Sequence, residues 1–276
     1  MESIYEKVGR TAFVIAEWRA EESESASPLF SDHLANIFLN VDTSKNALAI
    51  AEDSPSTRFL VRYRTRYFDD LILQKIRQGI KQFVILGSGL DTRPIRLGAK
   101  GVTFYELDQK HVLDYKAQQI KEFGYEQNSI FIPCDYTDVD FIEKLKDKGF
   151  DPSLETFLLW EGNIFYLKYN NIFYVLNSLK HGIDTFELTF DYLSQKLINR
   201  ATGFKRSEDL LNGFSQIGAP WNTGFDDISD LAKQVGLLVK ENFLIADYSN
   251  EIGKDIHIDP KLFDDYSICI FTNKTK

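Results

Sequence analysis

Cysteine is scarce in this sequence of 276 residues. The two cysteines, Cys134 and Cys269, cannot form a disulfide framework, and they lack the spacing of a metal site. The opening stretch MESIYEKVGR lacks the charged and then apolar pattern of a signal peptide, and no apolar run approaches the length of a membrane span. We therefore expect a cytoplasmic protein with no metal site and no membrane partner.

An excess of basic residues is also missing. Lysine and arginine together number 32 and aspartate and glutamate 41, which gives a net charge of −9. Because phosphate binding needs a basic face, this balance argues against a nucleic-acid partner. Apolar residues make up 43% of the chain, enough for the core of one large domain. We expect a single domain over residues 1–276 that binds a small molecule, and nothing in the composition indicates an oligomeric state.

Histidine, the usual general base, is also rare, with four in the chain. His33, His111, His181 and His257 are scattered along the chain, and none stands at the end of a segment that reads as a strand. A surface or structural role is expected for all four, so the sequence offers no dedicated base.

What the sequence does contain is an ordered alternation of strands and helices. Residues 11–19, 32–39 and 58–77 have helical spacing, and they predict a helical cap over residues 1–80. The part from 81 to 276 is expected to be an α/β core. Its apolar runs cover residues 83–86, 102–107, 129–133, 156–160 and 185–190, and helical segments cover 109–123, 139–148 and 170–180. Such alternation predicts a parallel sheet with helices on both faces, to which residues 237–246 and 266–271 would add partly antiparallel strands.

A glycine turn follows the first of these strands, in the motif LGSGLDTR. Gly87, Ser88 and Gly89 let a ligand approach the backbone closely at the carboxyl end of the strand. Thr92 occupies the place of the third glycine of a dinucleotide motif. This argues against a pyrophosphate-binding site and against an NAD-dependent oxidoreductase. Asp108 ends the second strand, 21 residues after Gly87, where a carboxylate can accept from both ribose hydroxyls. The alternative is a plain turn with a solvent-facing aspartate.

The next two strand ends also carry polar residues. Asp135 and Tyr136 follow the third strand, where the carboxylate could bind an adenine amino group and the ring could flank the base. Glu161 follows the fourth strand and should face the centre of the cleft, where it could hold an amino group or lie near a positive charge. Together the four strand ends predict a site for an adenosine-containing ligand.

Six segments extend this pattern into a family resemblance. They are TAFVIAEWRAEES (11–23), RYRTRYFDD (62–70), FVILGSGLDTRPIRL (83–97), FYELD (104–108), GFDPSLETFLLWEGNIFYL (149–167) and GAPWNTGFD (218–226). With them the chain resembles the leucine carboxyl methyltransferase family, including its bacterial branch of polyketide-type O-methyltransferases. The resemblance implies a Rossmann-like class I methyltransferase fold, with a mostly parallel sheet of seven strands whose last strand is antiparallel. It also implies S-adenosyl-L-methionine as methyl donor, with S-adenosyl-L-homocysteine as product.

The resemblance also assigns roles to residues. Arg64 falls on the position that pairs with the methionine carboxylate, although Arg62 and Arg66 are close enough to leave the choice open. Gly87 and Gly89 contact the cofactor, Asp108 binds the ribose, Asp135 and Tyr136 lie beside the adenine, and Glu161 lies in the cleft. The chain departs from the family at Gln109 and Lys110, where proline is common soon after the aspartate, and at Asn163, where an apolar residue is common.

Tyr166, in the segment EGNIFYL, is the candidate catalytic residue. It could orient an acceptor or lie near the sulfonium, and a packed core tyrosine is the alternative. Trp221 could line the acceptor pocket or simply anchor its loop. We expect an O-methyltransferase for a small, apolar or aromatic hydroxyl or carboxyl acceptor of polyketide type. A protein C-terminal carboxyl methyltransferase and a non-catalytic nucleotide-binding module remain as alternatives.

Overall fold

The structure is a computed structural model that describes residues 8–41, 45, 55–216, 218–252 and 264–274. His257 therefore lies outside the described residues, as do parts of the predicted cap. No helix among the described residues is both long and apolar enough to cross a membrane.

Among the residues that the structure describes ahead of the sheet are two helices and a 3₁₀ turn. Helix α1 covers Arg10–Ser23, the 3₁₀ turn His33–Phe38, and helix α2 Pro55–Arg77. Helix α1 extends beyond the predicted end at residue 19, because side-chain hydrogen bonds stabilise its last turn. The Ser23 hydroxyl donates to the Arg19 carbonyl, and the Glu22 carboxylate accepts from the Leu29 amide at 2.6 Å. The helix predicted at residues 32–39 is a 3₁₀ turn.

Seven strands form one sheet. They are β1 Gln82–Leu86, β2 Thr103–Asp108, β3 Ser129–Pro133, β4 Thr156–Trp160, β5 Phe186–Leu193, β6 Leu238–Leu244 and β7 Tyr266–Thr272. Their order across the sheet is β3-β2-β1-β4-β5-β7-β6, and β7 runs antiparallel to both of its neighbours. The predicted mostly parallel sheet of seven strands with an antiparallel last strand is confirmed.

Helices cover the sheet between the strands. They are α3 Arg93–Arg96, α4 Lys110–Glu122, α5 Phe141–Lys146, α6 Tyr169–Gly182, α7 Gln195–Ile198, α8 Lys205–Gln216, α9 Ile228–Val235 and α10 Ile245–Ile252. The buried residues of α6 recur at i, i+3, i+4 and i+7, the period of a helix that packs one face on a core. The sequence prediction missed α3 and α7–α10, and residues 245 and 246, predicted as strand, begin α10.

The strand ends position the site. Strands β1, β4 and β5 are buried along their whole length, as expected for central strands covered on both faces. The amides of Gly87 and Ser88 donate to the Leu107 carbonyl of β2, at 2.9 and 3.1 Å. These bonds bring the glycine turn after β1 directly beside the end of β2.

Candidate cofactor and acceptor site

A cavity of about 280 Å³ opens at the carboxyl edge of the sheet. This volume is near the lower end of the usual range for small-molecule sites, roughly 300–1,000 Å³. Its lining comes from the cap helices, the glycine turn, three strand ends and the loop around residue 221. Seven of the predicted site residues line it: Arg64, Gly87, Ser88, Gly89, Asp108, Glu161 and Tyr166.

Asp108 is held against the glycine turn. One carboxylate oxygen accepts from the Gly89 amide at 2.7 Å, and the other accepts from the Gln109 amide at 2.7 Å. Burial raises the pKa of this carboxyl, and the two amide donors oppose that effect. Because each carboxylate oxygen can accept a second hydrogen bond, Asp108 retains the capacity to bind two hydroxyl groups.

Asn163 joins the two loops that flank the cavity. Its side-chain amide donates to the Gly87 carbonyl at 3.1 Å and to the Glu161 carbonyl at 2.6 Å. Gly87 has a φ of 64°, and a Cβ built on it would lie 2.5 Å from the Asn163 Oδ1 atom. The polar residue at this position, a departure from the family, therefore fixes the glycine turn relative to the end of β4.

We expect Gly87→Ala to destabilise the protein by about 1–3 kcal/mol, the usual cost of overpacking. The new methyl group would collide with the Asn163 side chain. In the double variant Gly87→Ala/Asn163→Ala this collision is absent, so part of the loss should be recovered. Urea unfolding of the wild type, both single variants and the double variant measures the coupling. Additive effects of the two substitutions would contradict the contact.

Arg64 is the one of the three candidate arginines that lines the cavity. Its Nε atom donates to Glu161 at 2.8 Å, and its Nη1 atom donates to Asp191 at 3.0 Å and to the Tyr266 hydroxyl at 2.7 Å. Nη2 lies beside Gly162. Burial alone would lower the pKa of Arg64, but the phenol and the two carboxylates raise it above the usual value, so the side chain is charged.

The other two arginines have different partners. Arg62 forms ion pairs with Glu21 and Glu22 of α1, which fasten the cap helices to each other. The Arg66 Nε atom donates to Asp70 at 2.6 Å in a half-exposed pair. Neither lines the cavity, so Arg64 is the one of the three that the structure places there.

Glu161 lies between two arginines. Its Oε1 atom accepts from Arg64, and its Oε2 atom accepts from the Arg93 Nη1 atom at 2.5 Å. Arg93 is also bound by Asp69 at 2.6 Å and by Asp91 at 2.7 Å. This arrangement fixes the position of the Glu161 carboxylate at the cavity floor.

Sequence reasoning missed Arg93, Asp91, Asp69 and Asp191. The first three lie within segments that carried the family resemblance, so their motifs were seen but no role was assigned. Asp191 is a charged residue inside a fully buried strand, which is itself a signal, because a buried charge needs a partner. Its carboxylate accepts from the Gly162 amide at 2.6 Å and from Tyr266.

Asp135 and Tyr136 do not line the cavity. Asp135 is exposed, and its Oδ1 atom accepts from the Thr137 amide and hydroxyl, at 3.0 and 2.7 Å. The Tyr136 ring is buried in the core, where its hydroxyl accepts from the Trp160 indole at 3.1 Å. The Tyr136 ring packs on Trp160 rather than in the cavity lining, and an adenine role for the pair stays a prediction.

An aromatic wall, formed by Phe165, Phe214 and Trp221, closes the other half of the cavity. The Phe214 and Trp221 rings stack with centroids 4.5 Å apart, and Phe165 meets Trp221 edge-on at 5.3 Å. The Asn222 amide donates to the Phe165 carbonyl at 2.7 Å, which holds the loop in place. Tyr166 lies next to this wall, and burial raises the pKa of its phenol to about 12. Its hydroxyl therefore stays protonated at neutral pH and can donate a hydrogen bond.

The lining thus has a polar half and an apolar half. The polar half follows β1, β2 and β4 and contains the glycine turn, Asp108, Arg64 and Glu161. Within it, the Ser88 hydroxyl is buried and has no hydrogen-bond partner in the structure. A buried hydroxyl without a partner, beside the Asp108 carboxylate that can accept further hydrogen bonds, fits a polar ligand such as a nucleoside. Among the described residues, no group of three or more His, Cys, Asp or Glu side chains could hold a metal ion.

Comparison with known proteins adds a family to this geometry. The sequence profile of the leucine carboxyl methyltransferase family matches residues 12–180. A protein of Mycobacterium tuberculosis, described as a candidate S-adenosyl-L-methionine-dependent methyltransferase, is 36% identical to this chain over 184 residues. The alignment takes in 60% of this chain and 58% of the relative, so the chain spans a little under three fifths of the length of the curated relatives it matches.

Two solved structures share the fold. A DUF574 family protein from Streptomyces avermitilis has a TM-score of 0.70 at 10% identity, over 99% of this chain and 100% of its own. A candidate methyltransferase from Thermobifida fusca has a TM-score of 0.63 at 16% identity, over 95% of each chain. At these identities the likeness concerns the fold, and it confirms the predicted Rossmann-like methyltransferase architecture.

Proposed function

Because the chain belongs to the leucine carboxyl methyltransferase family, we propose that it is an S-adenosyl-L-methionine-dependent methyltransferase. The observation that carries this proposal is the position of Asp108, bonded to the glycine turn at the edge of a cavity. In open α/β sheets, ligands bind at the carboxyl ends of the strands, and a carboxylate after the second strand suits ribose hydroxyls. The names of the relatives agree with this ligand.

The polar half of the cavity would hold the methyl donor. Asp108 would accept from the two ribose hydroxyls, and the backbone of Gly87, Ser88 and Gly89 would lie along the ligand. Arg64 binds Glu161, Asp191 and Tyr266 through its Nε and Nη1 atoms. Its Nη2 atom takes no part in these bonds and would pair with the methionine carboxylate. Asp135 and Tyr136 keep the adenine as their proposed partner, which requires that the base extend past the described cavity.

The Glu161 carboxylate would receive the amino group of the donor or lie near its sulfonium. Arg64 binds one of its oxygens and Arg93 the other, so the carboxylate is already positioned when a positive group arrives. When bound, S-adenosyl-L-methionine supplies an electrophilic methyl group. The chain's own contribution is to position the acceptor opposite that group, and positioning can account for about 7–11 kcal/mol of a barrier.

The apolar half would hold the acceptor, and we propose O-methylation of a small apolar or aromatic compound of polyketide type. The aromatic wall offers flat surfaces to such a ring and excludes water from it. Tyr166 would orient the acceptor oxygen by donating a hydrogen bond, since its hydroxyl remains protonated at neutral pH. The cap over residues 1–80 would cover the cavity, because Thr11 and Ile15 of α1 belong to the lining.

Isothermal titration calorimetry tests the donor site. We expect the protein to bind one equivalent of S-adenosyl-L-methionine or S-adenosyl-L-homocysteine, because the polar half of the cavity presents one carboxylate for one ribose. NADH should show no heat of binding, since Thr92 replaces the third glycine that a pyrophosphate needs. Binding of NADH with no response to either sulfur compound would overturn the methyltransferase assignment.

A further inference from the structure

The indole of Trp221 brings an unused hydrogen-bond donor to the cavity lining. Its Nε1 atom is buried and forms no hydrogen bond of ordinary geometry in the structure. The Phe214 ring stacks on the indole and the Phe165 ring meets it edge-on, so the indole has little freedom to turn toward another partner. Because a buried donor without a partner costs free energy, this N–H is suited to a ligand that accepts from it.

Two hydroxyl groups lie beside this N–H. The Asn222 side chain donates to the Tyr166 carbonyl at 2.9 Å, which holds the loop of Trp221 against the turn that carries Tyr166. Burial raises the pKa of the Tyr166 phenol, whereas the Trp221 indole and the Thr11 hydroxyl lower it, so both lie close to the phenol oxygen. Thr11, Tyr166 and Trp221, here called the neutral triad, therefore bring three uncharged donors together in the lining.

The charges near the neutral triad compensate each other. Two charged residues, Arg64 and Asp191, act on the pKa of Tyr166 in opposite directions, and they form an ion pair at 3.0 Å. A negative oxygen at the triad would thus meet three hydrogen-bond donors and no unpaired carboxylate. When bound, the proposed methyl donor adds the positive charge of its sulfonium to the same cavity, which favours an anion further.

The lining offers no group that could take a proton from an acceptor. None of the described residues that line the cavity is a histidine. The carboxylates of Asp91, Asp108 and Glu161 already accept from arginine side chains or backbone amides. An acceptor oxygen that enters in its ionised form needs no base, because it has no proton to lose.

From these contacts we propose that the Trp221 indole, together with Tyr166 and Thr11, binds the acceptor oxygen as an anion. The inference rests on the proposed function, because the neutral triad lies in the acceptor half of the same site. A buried anion is costly unless it is hydrogen-bonded, and hydrogen bonds to an ionised group are stronger than those between neutral groups. A carboxylate and an ionised phenol are the two sources of such an oxygen.

Three probes with a common nitrophenyl ring test this proposal. 4-Nitrophenol offers a phenolate, 4-nitrobenzoate offers a carboxylate, and 4-nitrotoluene has a methyl group in place of the oxygen. Each is titrated into the full chain saturated with S-adenosyl-L-homocysteine, whose uncharged sulfur leaves the triad as the source of a preference for an anion. If the acceptor is a phenol, the absorbance of bound 4-nitrophenol should titrate at least about one pH unit below that of the free probe, since hydrogen bonds to the ionised form favour it.

Trp221→Phe removes the indole N–H and retains a ring that can stack on Phe214. It should weaken binding of an anionic probe at least about tenfold, because a hydrogen bond to a charged group is lost, and it should change the affinity for 4-nitrotoluene much less. A loss confined to 4-nitrobenzoate identifies a carboxylate acceptor, and a loss confined to 4-nitrophenol identifies a phenol. Unchanged affinity for both anions, equal weakening of all three probes, or no binding of either anion to the wild type would overturn the proposal.

Two further variants keep the test decisive if Trp221→Phe does not fold. Thr11→Val and Tyr166→Phe each remove one hydroxyl of the triad with little change of shape, and both should weaken the same anionic probe. Tyr125→Phe is the matched control, because Tyr125 is exposed and lies outside the cavity lining, and its affinities should equal those of the wild type. Wild-type affinity for the anions in folded Thr11→Val and Tyr166→Phe proteins would contradict the triad.

The titration with S-adenosyl-L-homocysteine separates the two possible failures. If this compound does not bind to the wild type, the proposed function fails, and this inference falls with it. If it binds and the variants leave the anionic probes unaffected, the inference alone is wrong. The first result is obtained before any acceptor probe is added, so the two cases remain distinct.

Discussion

Asp108→Ala is expected to weaken binding of S-adenosyl-L-homocysteine by at least about 100-fold. The substitution removes the acceptor of two ribose hydroxyls, and a hydrogen bond to a charged group is worth about 1.5–3 kcal/mol. Two such bonds amount to about 3–6 kcal/mol, and each 1.4 kcal/mol is about a factor of ten in affinity. The loss also frees the Gly89 amide, so the glycine turn should become less ordered.

Calorimetry measures this effect, and circular dichroism establishes that the variant is folded. Asp114→Ala is a matched control, because Asp114 lies on helix α4 close in sequence to Asp108, with its side chain exposed and paired with Lys110. Its affinity for S-adenosyl-L-homocysteine should equal that of the wild type, since Asp114 does not line the cavity and its pair with Lys110 is exposed. A folded Asp108→Ala protein with wild-type affinity would refute the ribose assignment.

Arg64→Ala is expected to lower the free energy of unfolding by about 3–5 kcal/mol, the usual cost of removing one partner of a buried ion pair. Asp191 is fully buried and Glu161 nearly so, and both would lose their guanidinium partner. Burial already raises the pKa of Asp191, and the arginine opposes that effect. Urea unfolding measures the stability, and the same protein should bind S-adenosyl-L-homocysteine far more weakly.

Two neighbouring arginines serve as controls for this substitution. Arg66→Ala removes a half-exposed pair and should cost at most about 1 kcal/mol of stability. Arg62→Ala loosens the contact between the cap helices, so it should reduce stability while it affects cofactor affinity less than Arg64→Ala does. Any other ranking of the three affinities would move the carboxylate anchor away from Arg64.

The position of Arg64 also shows what a sequence pattern alone does not determine. Arg62, Arg64 and Arg66 alternate along α2, and residues two apart on a helix point in nearly opposite directions. The pattern therefore separates Arg64 from the other two, but it does not say which side of the helix faces the sheet edge. That depends on how α2 packs between α1 and the strands.

Tyr136 is a second residue whose side-chain direction the local sequence does not determine. Its place after β3 was predicted correctly, because the strand is a local feature. The direction of its ring cannot be read from that local pattern, because the Trp160 indole of the distant strand β4 donates to its hydroxyl. A neighbour 24 residues away decides whether that ring faces the ligand or the core.

By itself the sequence determined the succession of strands and helices, the glycine turn and the carboxylate of Asp108. These features depend on the spacing of hydrophobic residues and on the backbone freedom of Gly87 and Gly89. Both can be recognised in a short stretch of sequence. Only the tertiary structure decided which arginine faces the cavity, that Arg93 binds Glu161 and Asp191 binds Arg64, and that the Asn163 side chain holds the glycine turn. Each of those contacts joins residues far apart in the chain, and buried charges find partners through packing that no local pattern encodes.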